Sequence, residues 1–195
     1  MNKPCKIIIH HSLTKDGKVV DFNAIKRYHI ETNGWRDIGY HYVIENVNDQ
    51  YKILKGRDEK AIGAHTKGEN ANSIGICLVG NFDVQLVPSN QLEKLVELIK
   101  DIRNRYGNIP VHGHCDFPNP DTGYRKSCPG KKFPWKDLEE KLVEYQNSDT
   151  LSQWAEDGYN FVKENNISDG TRPKDIMTRE EMWTMLHRYH QRYGK

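Results

Sequence analysis

Among the 195 residues, the nine histidines and four cysteines are the side chains best suited to bind or activate something, and three of them stand out by their surroundings. Lys6-Ile7-Ile8-Ile9-His10-His11-Ser12 is a β-branched run that ends in two imidazoles. Side chains alternate faces along a strand, so His10 shares a face with Ile8 and His11 points the other way. One of the two can therefore enter a site while the other does not. An imidazole on a rigid buried strand is a good metal ligand if other donors arrive. Two segments carry them, Val111-His112-Gly113-His114-Cys115-Asp116 and Lys126-Ser127-Cys128-Pro129-Gly130. Zinc takes nitrogen and sulfur donors, and its catalytic sites commonly have three protein ligands plus a water. The chemistry expected is Zn²⁺ held by His10, His114 and Cys128 with its fourth position open. Spacing alone favours a plainer account, core or surface histidines beside buried thiols, because this many histidines and cysteines produce scattered pairs by chance.

The elements that must position these residues read as alternating strands and helices. Lys15-Asp16-Gly17 reads as a turn, and Asp21 caps a helix from about Phe22 to Asn33 that Gly34 ends. Phe22, Ile25 and Tyr28, with His29, form its inner stripe, and His29 reads as a partly buried helix-face residue. Gly39–Ile44 and Gln50–Leu54 are aromatic and β-branched runs joined by Asn46-Val47-Asn48-Asp49, a hairpin with Tyr40, Tyr42 and Ile44 on one face. His41, on the other face, reads as a packing residue. Polar, glycine-containing loops follow up to Asn72, as loops rimming a groove often do. Ser73–Gly80 is a nearly continuous apolar run, expected in the middle of a sheet covered on both sides.

The clearest helix follows, capped by Ser89, with Leu92, Leu95, Val96, Ile99 and Ile102 at helical spacing and Gly107 as its stop. A short strand from Ile109 to Gly113 delivers His114, Phe117–Gly123 is a loop, and Pro134 opens a helix through about Tyr145. The result is an α/β domain over residues 1–146, a central mixed β-sheet flanked by helices. After the linker Asn147–Thr150, residues 151–195 read as a small C-terminal helical hairpin module. Its helices are Leu151–Asn165 and Arg179–Tyr193, the second begun by a capping box at Thr178-Arg179-Glu180-Glu181.

Composition narrows the classes. With 29 basic and 27 acidic residues and a net charge of +2, no nucleic-acid partner is called for. Four unevenly spaced cysteines do not make a secreted disulfide scaffold, and fit a reducing compartment. No run is apolar enough to cross a bilayer and Met1-Asn2-Lys3-Pro4-Cys5 is no signal peptide, so the expectation is residence in the cytoplasm with no membrane insertion.

The wording around the candidate ligands adds a further constraint. Strand-His-His-Ser, Gly-Tyr-His-Tyr-Val-Ile, Asn-Ser-Ile-Gly-Ile-Cys-Leu-Val-Gly-Asn, Gly-His-Cys-Asp and Lys-Ser-Cys-Pro-Gly occur here in that order. Over residues 5–145 the chain resembles the type 2 N-acetylmuramoyl-L-alanine amidases, which include phage lysozyme-like amidases and the peptidoglycan recognition proteins. The resemblance implies zinc on His10, His114 and Cys128, with His11 structural or supporting, and catalytic roles for Tyr40 and Lys126. It implies hydrolysis of the amide between N-acetylmuramic acid and L-alanine in bacterial peptidoglycan, as by a phage or prophage endolysin that waits in the host cytoplasm and acts at the cell wall after release.

Some members carry a glutamate base where this chain has Cys77. Proton transfer would then fall on Tyr40 or on the hydroxide itself. His65 and Asn72, in the loops before the central strand, are candidates to contact glycan or stem peptide, and His112 is a supporting or surface residue.

The tail, with Trp154, Ile167, Asp169-Gly170, Arg172-Pro173 and Thr178–Glu181, resembles an S-layer-homology-like hairpin, which implies attachment to a wall polymer. A packing or dimerising helix pair with Trp154, Phe161, Met182 and Leu186 as its core explains it equally well. Two readings of the main domain stay beside the endolysin: a bacterial autolysin, and a non-catalytic peptidoglycan-recognition module. Modules of the latter kind typically lack the cysteine ligand, whereas Cys128 is present here. A structural zinc module on nucleic acid would need a fourth protein ligand and a basic face.

Overall fold

The structure, a computed structural model, describes residues 1–13, 20–149, 155–168 and 179–194. The expected turn at Lys15-Asp16-Gly17 lies outside the described residues. So do Trp154, Asp169-Gly170, Arg172-Pro173 and the capping threonine Thr178.

Five strands form one mixed sheet: β1 (Lys6–His11), β2 (Tyr42–Val47), β3 (Gln50–Lys55), β4 (Ser73–Leu78) and β5 (Val111–Gly113), in the order β3-β2-β4-β1-β5. Only the β2–β3 pair is antiparallel; β2–β4, β4–β1 and β1–β5 are parallel. The hairpin closes through Asn48 and Asp49, both at positive φ (53° and 61°), the backbone that a two-residue turn needs to match the twist of its strands. Strand β4 is buried at every position and holds the middle of the sheet, as its unbroken apolar run requires.

Helices cover both faces. Helix α1 (Phe22–Arg27) continues as a π turn over Tyr28–Thr32 and stops at Gly34, whose φ is +67°. Asp21 caps it by accepting from the Ala24 amide at 2.7 Å. Ile25 packs with Ile38, Val43 and Cys77. On the opposite face, α2 (Ser89–Tyr106) packs on β2 and β3 and buries Leu92, Leu95, Val96, Ile99 and Ile102. Ser89 does not cap it: the cap position is Pro88, which has no side-chain donor or acceptor, and the Ser89 hydroxyl turns to Asn90. Gln91 of α2 instead anchors the helix by donating to the Ile44 and Val79 carbonyls at 3.0 and 3.1 Å.

Helix α3 runs from Trp135 to Asp149, so Asn147–Asp149, expected in a linker, are helical. Two compact units divide the chain, Met1–Leu138 and Glu139–Lys195. Within the second, α4 (Glu156–Glu164) and α5 (Arg179–Tyr193) are joined by Arg188 and Arg192 donating to the Ile167 and Asn165 carbonyls and by the Phe161–Tyr193 ring contact at 5.7 Å. Ile167 is buried there, but Phe161, Met182 and Leu186, expected in a small core, are exposed (42%, 39% and 58%), and Trp183 is exposed beside them. No helix among the described residues is long and apolar enough to cross a membrane.

Candidate active site

Parallel strands end together, and the crevice beyond their carboxyl ends is where open α/β sheets place ligands. Strand β1 ends in His10-His11, and β5 ends in Gly113, immediately before His114. In register, His10 stands beside Cys77 of β4, which stands beside Val43 of β2. This row lies on the face covered by α1. A cleft of about 450 Å³ opens over it, lined by His10, His11, His29, Tyr40, His65, His114, Lys126 and Cys128, with Leu13, Asn33, Trp35 and Tyr124 among its outer residues.

Cys128 comes from a loop held by its neighbours. Cys115 donates its amide to the Cys128 carbonyl at 2.7 Å, Ser127 donates its hydroxyl to Asp83 at 2.7 Å, and the Lys131 amide donates to the same carboxylate at 3.0 Å. The Cys128–Pro129 peptide is cis. His11, the second imidazole of the pair, serves this loop. Its backbone N–H points at the Cys128 sulfur at 3.4 Å, and its Nδ1 accepts from the Phe82 amide at 3.1 Å.

Among the described residues, His10, His114 and Cys128 form the group of donors able to share a metal ion, with ligand atoms all within 4.8 Å of one another. His10 Nδ1 lies 3.7 Å from Cys128 Sγ. Tetrahedral zinc with ordinary Zn–N and Zn–S bonds would put such a pair about 3.6 Å apart. The donor chemistry and the spacing both fit that ion.

The electrostatics agree. Burial, then the neighbouring Lys126 and His11, lower the His114 pKa to about 4, which leaves its lone pair free at neutral pH. His10 is held well below the usual histidine range by burial first and then by His65 and His114. Burial pushes the Cys128 thiol up to about 12, partly opposed by the His11 amide and the Lys126 charge. A thiol this reluctant to ionise surrenders its proton only to something strongly attracting, which a divalent cation is.

Tyr40 is expected on a strand but precedes β2 by two residues. It stands half-buried in the cleft wall, its ring 5.1 Å from that of His10. Burial, with the Cys77 and Cys128 sulfurs beside it, raises its pKa well above 10. Cys77, fully buried, is thus a small strand residue packed behind the Tyr40 hydroxyl. Lys126 is exposed and reaches the cleft from the loop before Cys128.

Of the two residues expected to touch substrate, Asn72 is not brought to the cleft. It lies next to Ser73, which pairs with Lys6 at the far end of β1 from His10, and its carbonyl accepts from Cys5. His65 does line the cleft, yet both its ring nitrogens are within hydrogen-bond distance of protein atoms.

His29, expected as a partly buried helix-face residue, is buried in the cleft wall between Trp35 and Tyr40, with ring centroids at 4.6 and 5.4 Å, and its Nδ1 accepts from Gly39. Only its place on the inner stripe of α1 could have pointed to it. His41 packs away from the cleft opening and takes the Gly75 amide on Nδ1. His112 sits half-exposed, 3.6 Å from Asp116.

A family model described as N-acetylmuramoyl-L-alanine amidase matches residues 1–131. The endolysin of Escherichia phage T7 is 37% identical over 129 residues, 63% of this chain and 78% of that protein. Peptidoglycan-recognition protein SC2 of Drosophila melanogaster is 31% identical over 136 residues, 67% of this chain and 70% of that one. Among solved structures, the endolysin amidase LysCS from Clostridium intestinale URNW superposes with a TM-score of 0.62 at 31% identity, covering 73% of this chain and 85% of that one.

Proposed function

Because the chain belongs to the N-acetylmuramoyl-L-alanine amidase family, we propose that it is a zinc-dependent endolysin that cuts the amide between the lactyl group of N-acetylmuramic acid and L-alanine in peptidoglycan. The observation that carries the zinc reading is the meeting of His10, His114 and Cys128 at one point of an open cleft, from three segments far apart in sequence. When bound there, zinc supplies Lewis acidity that lowers the pKa of water from about 15.7 to about 7.

The remaining work falls to this chain's own groups. Lys126 Nζ, at the cleft, stabilises the negative charge that gathers on the amide oxygen more than it stabilises the neutral amide. Tyr40 keeps its proton at neutral pH, so its Oη acts as a hydrogen-bond donor toward reacting oxygen rather than as a tyrosinate base. Among the described residues no carboxylate lines this cleft, and Cys77 is a protonated thiol, its pKa raised well above the usual range by burial. Trp35, Asn33 and Tyr124 at the outer cleft supply an aromatic and polar rim for a glycopeptide.

In this reading the protein is held in the host bacterial cytoplasm until release and then acts at the wall. Residues 1–146 form the catalytic domain, and the segment from 151 onward forms a small module that binds a wall polymer. Mass spectrometry of muropeptides from purified walls tests the reaction. Digestion should yield free L-alanine amines and intact lactyl-muramate, and this should stop with a chelator or with Cys128→Ala. Cleavage within the glycan or between stem residues would contradict it.

A further inference from the structure

Behind the cleft floor, His10 Nε2 lies 3.1 Å from His65 Nδ1, and His65 Nε2 lies 3.4 Å from the Ser73 hydroxyl, which donates to the Glu69 carbonyl at 2.7 Å. We propose that Ser73 and His65 form a positioning relay that fixes the His10 tautomer, leaving the Nδ1 lone pair bare toward Cys128. This rests on the zinc reading of His10 above.

The proton order follows from counting donors. A serine hydroxyl has one hydrogen, and Ser73 spends it on Glu69, so toward His65 it can only accept. His65 Nε2 must then carry the ring proton. Both rings are buried (1% and 9% exposed), where a second proton would go unsolvated, so each imidazole carries one. His65 Nδ1 is therefore an acceptor and takes the Nε2 proton of His10. What remains on His10 is a bare Nδ1, 3.7 Å from the Cys128 sulfur.

The relay is built rather than incidental. Asn70 Oδ1 accepts from the His65 and Thr66 amides at 2.8 and 2.9 Å, pinning the backbone on which the ring hangs. Thr66 Oγ1 sits 3.2 Å from His65 Nδ1 and 3.4 Å from His10 Nε2, flanking the link between the rings. The space for the His65 ring is made by glycines: a Cβ on Gly75 would overlap it, and one on Gly63 would come within 2.5 Å of it. Partners of this kind commonly change metal affinity 10- to 100-fold when removed.

Two measurements test it on the full chain. Long-range ¹H–¹⁵N correlation spectra of the wild-type protein should show His10 and His65 both as Nε2–H tautomers. Competition with a chromophoric chelator should show His65→Leu binding Zn²⁺ about 10- to 100-fold more weakly than wild type. His65→Asn, whose Oδ1 stands near the place of the lost Nδ1, should recover most of that affinity. An Nδ1–H tautomer at His65, or wild-type zinc affinity in a folded His65→Leu, overturns the relay. Should His65→Leu fail to fold, the tautomer spectrum of the wild type decides alone. Should wild type bind no zinc, the metal reading fails, while the spectrum still tests the proton order.

Discussion

Cys128 and His114 enter the metal site from opposite sides of neutral pH. The thiol, pushed up to about 12, is protonated before a metal arrives, whereas His114, with its pKa lowered to about 4, and His10, also lowered, are already free of theirs. Zinc binding at pH 7.5 should accordingly release about one proton per ion from Cys128, added to the fraction that a bound water with a pKa of about 7 gives up. Calorimetry in buffers of different ionisation enthalpy reads that number directly, and release of that fraction alone would mean that Cys128 is not a ligand. In the proposed reaction Tyr40 and Lys126 serve a different step. Tyr40→Phe and Lys126→Ala should each lower kcat by about 10²- to 10³-fold, the usual cost of losing one group aimed at a developing oxyanion. Zinc affinity should hold in both. A loss of affinity in place of turnover would move those residues from the reaction to the metal's support.

At the next scale, the loop that carries Cys128 depends on how closely it can approach the turn after β4. Gly130 has φ +118°, and a Cβ there would run into the Phe82 carbonyl carbon, with the Asp83 nitrogen at 2.8 Å. Backbone cannot step aside as a flexible side chain can. Gly130→Ala should thus cost about 1–3 kcal/mol of stability and weaken zinc binding, since the Lys132–Phe82 and Lys131–Asp83 bonds that seat Cys128 lie at the same contact. Chemical denaturation and chelator competition on the same variant check both halves.

The elements themselves were largely legible in the amino-acid order, and the reasons differ from one to the next. The β-branched run before His10 and the apolar run of β4 state their burial by their period. The α2 stripe states its face, whereas the hairpin loop expected over Asn46–Asp49 closes on Asn48 and Asp49 alone, Asn46 and Val47 still belonging to β2. Ser89 does not cap α2 because a hydroxyl near a helix start signals only that a start is near; Pro88 takes the position. The pairings that hold His29 and His65 are not legible for another reason. Their partners, Gly39 for one and His10 with Ser73 for the other, are remote or follow a loop, so no local period encodes the pairing. Asn72 shares with His65 the loops before the central strand, but the turn Asn70–Asn72 carries the chain to the opposite end of the sheet.

For the molecule as a whole, the second unit presents exposed Trp183, Leu186 and Tyr189 on α5, apolar surface that suits an insoluble polymer better than water. A chain ending at Asp149 should keep zinc binding and cleave soluble muropeptides, yet sediment less with purified walls, which a pull-down against full-length protein measures.

The histidines make a further claim on the catalytic unit. His10, His11, His29, His41, His65 and His114 all have pKa values lowered, with burial the largest cause for each. A group whose folded pKa lies below its unfolded value of about 6.5 binds protons more tightly once the chain unfolds, so stability rises with pH between the two values. For His114 that window runs from 6.5 down to about 4. The metal-free protein should therefore be at full stability above pH 7 and lose it as the pH falls through 6.5 toward 4, with the steepest loss where several histidines titrate together. Asp37, Asp83 and Glu59, whose pKa values are lowered by their partners, extend the loss to lower pH, while Glu45, raised by burial, opposes it above its ordinary pKa of 4.5, inside the histidine window. Urea midpoints in a chelator at pH 7.5, 6 and 5 should fall in that order. A midpoint unchanged from 7.5 to 5 would mean that the rings accept protons in the folded state as readily as in the unfolded one, against the burial of His10, His11, His29, His41 and His65 and the partial burial of His114.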